Sequence, residues 1–142
     1  MSKSPNALLA SLCLAAVCTA CAGMTHTASG TINANDWHLV EINGTAAFPS
    51  DEARRPTLRF SADSGRATGS GGCNSFGGTA TINGASLRVS RVISTKRACT
   101  DQALNEQETR FFSTLEAVDR YAITADTLKL YRGPAVALRF VR

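Results

Sequence analysis

The residues able to do chemistry in this chain gather in GSGGCNSFGGTATING, Gly69 to Gly84, which packs six glycines and Cys73 into sixteen residues. Three uses fit such a run: a backbone cradle for phosphate, a strained turn that presents a nucleophile, or a corner that demands conformations open mainly to glycine. A phosphate loop needs G-x-x-x-x-G-K-[ST], so that the lysine meets the phosphates. Gly72 and Gly77 have the spacing, yet Gly78-Thr79 stands where Lys-Ser/Thr belongs. The dinucleotide pattern fails too, because Gly69-Ser70-Gly71-Gly72-Cys73-Asn74 lacks the last glycine and no helical pattern follows. Nucleotide binding is set aside.

Cys73 would need a base to act as a nucleophile, and the chain has only His26 and His38 to offer. A Cys73–His38 dyad with Asn74 as oxyanion donor is the one catalytic arrangement available, and a disulfide to Cys99 would silence it. A zinc site from Cys73, Cys99 and His38 has three ligands at unrelated spacing. Asp51-Glu52, ahead of Arg54-Arg55-Pro56, reads as a solvated loop, and Glu106 and Glu108 read as acids that favour a helix start through its dipole. The expectation is a chain that is not an enzyme, with no catalytic residue, no metal and no cofactor.

Five cysteines divide by position. Cys13, Cys18 and Cys21 lie in the N-terminal region, which leaves Cys73 and Cys99 for the folded part. An even pair in an oxidising compartment reads as one disulfide; a free buried pair or one reactive thiol is the alternative. Closing a loop of about 25 residues contributes roughly 3 to 4 kcal/mol in the chain-entropy account.

The N-terminal region has an address of its own. Lys3 is its only charge, and Ala7 to Ala20 is small and apolar, as in an export signal. The run is shorter than the roughly twenty residues that a spanning helix needs. Val17-Cys18-Thr19-Ala20-Cys21 resembles the bacterial lipobox, which implies a diacylglyceryl group on Cys21. Cys18 as the modified residue, or plain secretion after cleavage nearby, are the alternatives. Several acyl chains on one residue anchor a protein stably. Ala22, where an aspartate would imply retention at the inner membrane, points to an outer-membrane lipoprotein facing the periplasm if the cell is Gram-negative. The expected regions are a signal peptide over 1–20, a lipidated flexible tether over 21–35 and a folded domain over 36–142.

The rest of the domain must position Cys73 and the glycines. Its alternation has period two: Trp37 and Leu39; Leu58 and Phe60; Leu87 and Val89; Tyr121 and Ile123; Leu128 and Leu130; Val136, Leu138 and Phe140. Such spacing predicts strands with one buried face. Turn chemistry separates them at Asp63-Ser64-Gly65, Asn83-Gly84, Ala125-Asp126 and Gly133-Pro134, with Asn83-Gly84 expected as a type I′ hairpin. One segment breaks the rule: Leu104, Phe111, Phe112, Leu115 and Val118 fall at helical spacing, with Thr100 or Asp101 as cap, which predicts a helix over about 101–118. The fold class is α+β, mainly antiparallel β, with about eight strands curled into an open barrel and one helix packed on it. The glycine run is read as a strand corner, with Cys73 tied to Cys99 just ahead of the helix.

A length of 142 residues with 44% hydrophobic content suits one core. The net charge is +4, and the arginines stand singly along strands, which argues against nucleic acid and leaves only mild attraction to anionic lipid.

In order, Trp37-x-Leu39, Gly71-Gly72-Cys73-Asn74-x-x-Gly77-Gly78, Thr95-x-x-Ala98-Cys99, Glu108-x-x-Phe111 and Leu128-x-Leu130 resemble the META domain of HslJ-like heat-shock lipoproteins. The resemblance covers about residues 36 to 141, and Gly71, Gly72, Cys73, Asn74, Gly77, Thr95, Ala98 and Cys99 are its most specific part. It implies a lipocalin-like antiparallel barrel and a role in envelope stress, heat shock and novobiocin resistance, without an established enzymatic activity. The expected partner is the membrane, through the N-terminal lipid, for a monomeric domain. Two further classes are kept. One is a lipoprotein that binds a small apolar ligand or lipid tail lined by Phe48, Phe76, Phe111 and Phe112. The other is a pilot-like chaperone for an envelope assembly, whose partner is an envelope protein.

Overall fold

The computed structural model describes residues 31–48, 52–97 and 99–142. The signal, the tether up to residue 30, Cys21 and Ala98 lie outside the described residues. Among the described residues, nine strands form one antiparallel sheet: β1 (Trp37–Ile42), β2 (Thr45–Ala46), β3 (Thr57–Ser61), β4 (Arg66–Ser70), β5 (Ser75–Asn83), β6 (Ser86–Ser94), β7 (Arg120–Thr124), β8 (Thr127–Arg132) and β9 (Ala135–Val141). The α-helix α1 (Gln102–Glu116) stands between β6 and β7 in the chain.

Neighbours in sequence pair along the sheet from β3 to β9, and β9 returns to pair with β1, so the sheet closes into a ring. One side of β1 is shared: β3 takes its start at Trp37 and His38, and the short β2 takes its end at Glu41 and Ile42. The ring is irregular where β6 meets β7, which pair only at Ser86 and Arg120. Beyond that point β6 diverges and α1 packs against it, with the Glu116 carboxylate accepting the Val92 N–H at 3.0 Å. The helix thus satisfies part of an edge that would otherwise be open to pairing.

The inward residues of the ring and the apolar stripe of α1 make one core. Trp37, Phe60, Phe111, Phe140, Leu58 and Leu128 are completely or almost completely buried, each contributing roughly 1.5 to 3 kcal/mol by leaving water. Phe111 reaches from the helix to Phe140 on β9, with ring centroids 6.2 Å apart.

Local chemistry sets the boundaries. Asp101 caps α1, its Oδ1 accepting the N–H groups of Ala103 (2.9 Å) and Leu104 (3.4 Å). The Gly69 to Gly78 run is a corner only at Gly71 to Asn74; Gly69 lies inside β4, one residue before its end, while Gly77 and Gly78 lie inside β5. The Asn83 hairpin also differs from expectation. Asn83 pairs with Ser86, so the loop is Gly84-Ala85, and only Gly84 has positive φ (+58°), whereas a type I′ turn needs two such residues. Asn43-Gly44, between β1 and β2, supplies that pair at +48° and +81°. The fold also begins before residue 36: Ile32, in a short 3-10 turn (Ile32–Ala34), is buried in the core and its carbonyl accepts the Trp37 Nε1–H at 2.9 Å.

Candidate functional site

The motif residues converge at the Gly71–Asn74 corner. Asn74 is buried, and all its hydrogen-bonding groups are used. Its Nδ2 donates to the Arg97 carbonyl (3.1 Å) and to Glu108 Oε1 (2.5 Å). Its Oδ1 accepts the Thr95 hydroxyl (2.8 Å) and the Arg97 N–H (2.7 Å). Its backbone N–H donates to Glu108 Oε2 (2.7 Å), and its carbonyl accepts the Gly71 N–H (2.8 Å). Glu108 Oε2 also takes the Cys73 N–H at 3.0 Å. A buried carboxylate on the helix therefore clamps the corner through two backbone amides and one side-chain amide. Such charge-assisted bonds offset the cost of burying the charge.

Glycine is required here for space. A Cβ on Gly71 would lie 2.5 Å from Glu108 Cγ and Oε2 and 2.7 Å from Phe112 Cζ. Gly72, at φ +115°, would place one 2.9 Å from Leu104 Cδ1. The helix can approach the corner only because both positions lack side chains.

Cys73 and Cys99 form a disulfide with Cα atoms 5.8 Å apart and a sequence separation of 26. It joins the corner to the segment just ahead of the Asp101 cap. Beside it lies an open hollow of about 240 Å³ bordered by Arg54, Arg97, Asp101 and Leu104. The Cys73 sulfur is thus engaged with Cys99, and His38 sits on β1 opposite Thr57 and Val141, its Nδ1 buried without a partner.

The fold brings Gly71, Gly72, Cys73, Asn74, Thr95 and Cys99 together, whereas Gly77 lies in β5 away from the clamp. Phe76, Phe111 and Phe112 form one cluster with ring centroids 5.1 to 5.7 Å apart. Phe48 stands apart, half-exposed, its backbone N–H bonded to Gln107 Oε1 (2.7 Å) and its carbonyl to Gln107 Nε2. Gln107 is a group that the sequence alone did not single out, and Glu108, read there as an acid favouring the helix start, is instead buried in the second turn of α1 and holds the corner. Their signal was their position between the apolar residues Leu104 and Phe111, on the buried side of the helix.

The comparison with family models settles what the clamp belongs to: the META domain matches residues 30–142. The chain belongs to the META domain family. META domain proteins are associated with the bacterial envelope. The match starts ahead of Ile32, in agreement with that residue's place in the core. Solved structures share the META-like fold. An NMR structure of a protein from Burkholderia xenovorans is 23% identical at a TM-score of 0.64, covering 78% of this chain and 83% of that one. A crystal structure of a DUF4847 family protein from Bacteroides vulgatus is 19% identical at 0.53, covering 78% and 93%. A further NMR structure is 21% identical at 0.60, covering 78% and 90%. No curated protein matches the chain significantly.

Proposed function

We propose that this META domain protein is a non-enzymatic lipoprotein of the bacterial envelope, anchored by acylated Cys21 and serving tolerance of heat and of hydrophobic antibiotics such as novobiocin. The observation that carries the reading is the use to which the motif is put. Asn74, Thr95 and Glu108 spend their hydrogen bonds on one another and on the corner, and Cys73 is covalently held, so the residues with chemical potential serve the fold. A catalytic cysteine needs a free thiolate and a base within reach. A disulfide of this kind also suits an exported protein. The outer membrane, facing the periplasm, is the location that fits Ala22 after Cys21.

Mass spectrometry of the mature protein extracted from membranes without reductant tests the chemistry. Acylated Cys21 and no alkylatable thiol are expected; a Cys73 that alkylates readily in the native protein would overturn the non-enzymatic reading. Deletion of the gene is expected to sensitise cells to heat and novobiocin, with rescue by the wild-type chain and not by Cys21→Ser. Unchanged survival of the deletion strain under both stresses would remove the assigned role.

A further inference from the structure

Strands β3 to β6 hold Arg59, Arg66, Arg88 and Arg91 and no aspartate or glutamate. Register sets two outward rows across them: Arg59, Thr68, Gly77 and Ile93 in one, Ser61, Arg66, Thr79 and Ser90 in the next. Arg59 is paired with Asp36. Among the described residues, no carboxylate forms an ion pair with Arg66, Arg88 or Arg91. The nearest acids by position are Asp63 in the β3–β4 turn, Asp119 beside Arg88, and Glu116, whose Oε1 is taken by the Val92 N–H.

A bulge aims this face. Gly77 pairs with Ile93 and Thr79 with Ser90, so Arg91 and Val92 together oppose Gly78. Leu87 and Val89 point inward, and strict alternation would send Ile93 inward as well. The extra residue reverses the phase: Val92 turns toward the core and Ile93 becomes 75% exposed. The bulge places Arg91 at φ +54°, in the left-handed region where a Cβ is crowded against the following carbonyl and glycine is favoured. Arg66, Arg91, Ile93 and Thr79 then border one shallow hollow of about 460 Å³.

We propose that this face of the ring docks on an anionic lipid surface, with Arg66 and Arg91 on headgroup phosphates and Ile93 entering the acyl boundary. Charge complementarity selects the occupant: unpaired guanidiniums interspersed with hydroxyls fit a layer of phosphates. One exposed isoleucine is too little apolar surface for a stable protein interface, which buries about 800 Å² per partner. Stacking aromatics, which a nucleic-acid surface uses, do not border the hollow. The contact is separate from acylation at Cys21 and would orient the domain on the membrane whatever holds the N-terminus.

Co-sedimentation of the full chain with vesicles tests it, comparing phosphatidylglycerol-containing with pure phosphatidylcholine vesicles for wild type and variants, which share the same N-terminal region, so that its contribution cancels between them. Wild-type binding is expected to favour the anionic vesicles and to weaken as salt rises. Arg66→Gln with Arg91→Gln should reduce the anionic preference by roughly fivefold per arginine, about 25-fold together. Arg91→Gly separates binding from folding: glycine relieves the positive φ, so this variant should melt no lower than wild type and still bind about fivefold more weakly. Ile93→Trp should show a blue-shifted emission on anionic vesicles only. Equal partition of wild type and the double glutamine variant, an unmoved Ile93→Trp emission, or a concentration-dependent dimer abolished by Ile93→Asp would each overturn the proposal.

Discussion

Glu108 grips Asn74 twice, taking its backbone N–H on Oε2 at 2.7 Å and its side-chain N–H on Oε1 at 2.5 Å, across 34 residues of sequence. The carboxylate is buried, so the pair acts as a clamp between α1 and the β4–β5 corner.

Replacing this carboxylate by an amide of the same shape presents an N–H to donors. Glu108→Gln is expected to destabilise the domain by about 2 to 4 kcal/mol in urea unfolding, because buried donors lose a charged acceptor. A loss below about 0.5 kcal/mol would contradict the clamp.

Gly71 and Gly84 should respond differently to alanine. Gly84→Ala meets nothing within 4 Å but must hold φ +58°, a strain of about 1 kcal/mol. Gly71→Ala drives its Cβ to 2.5 Å from Glu108 and should cost more, about 2 to 3 kcal/mol. Its cost should shrink in a Glu108→Ala background, which a double-mutant cycle reads directly.

Removing the disulfide tests the same corner covalently. Cys73→Ser with Cys99→Ser should lose about 2 to 4 kcal/mol, and wild type in strong reductant should approach the stability of the variant.

The pair Arg59–Asp36 predicts a pH dependence. The hydrogen bond from the Arg59 guanidinium holds the Asp36 carboxyl below its ordinary value of 3.8. The folded state therefore gains stability that is present above that value and lost as pH falls through the lower folded one. Asp36→Asn should be slightly less stable than wild type near neutral pH, and the two should converge as pH drops below 3.8. Both side chains are largely exposed, so the gap is small and should close in high salt.

Truncating Phe111, the buried contact between α1 and β9, should cost about 3 to 5 kcal/mol on replacement by alanine.

Much of this protein is written in local patterns. Alternation of Leu58 with Phe60, or Leu128 with Leu130, marks strands because a pleated chain shows one face every second residue. Asp101 marks the helix start because its carboxylate can reach amides only two and three residues on. The β5 strand was hidden, since its inward residues after Phe76 are Gly78 and Ala80, which carry little hydropathy. What tertiary structure alone decided is non-local. Glu108 resembles any helix-surface acid until the corner, 34 and 35 residues earlier, is folded against it. Ile32 joins the core where its turn packs on β3 and its carbonyl accepts the Trp37 Nε1–H, and Ile93 becomes surface because one extra residue on β6 reverses the phase of the strand. Sequence thus determined most of the elements through short-range geometry, whereas the Cys73–Cys99 bond, one of the readings that an even pair of cysteines allows, was decided by the fold. The clamp, the ring closure of β1 on β9 and the outward arginine face depend on which distant segments meet, and no local period encodes that.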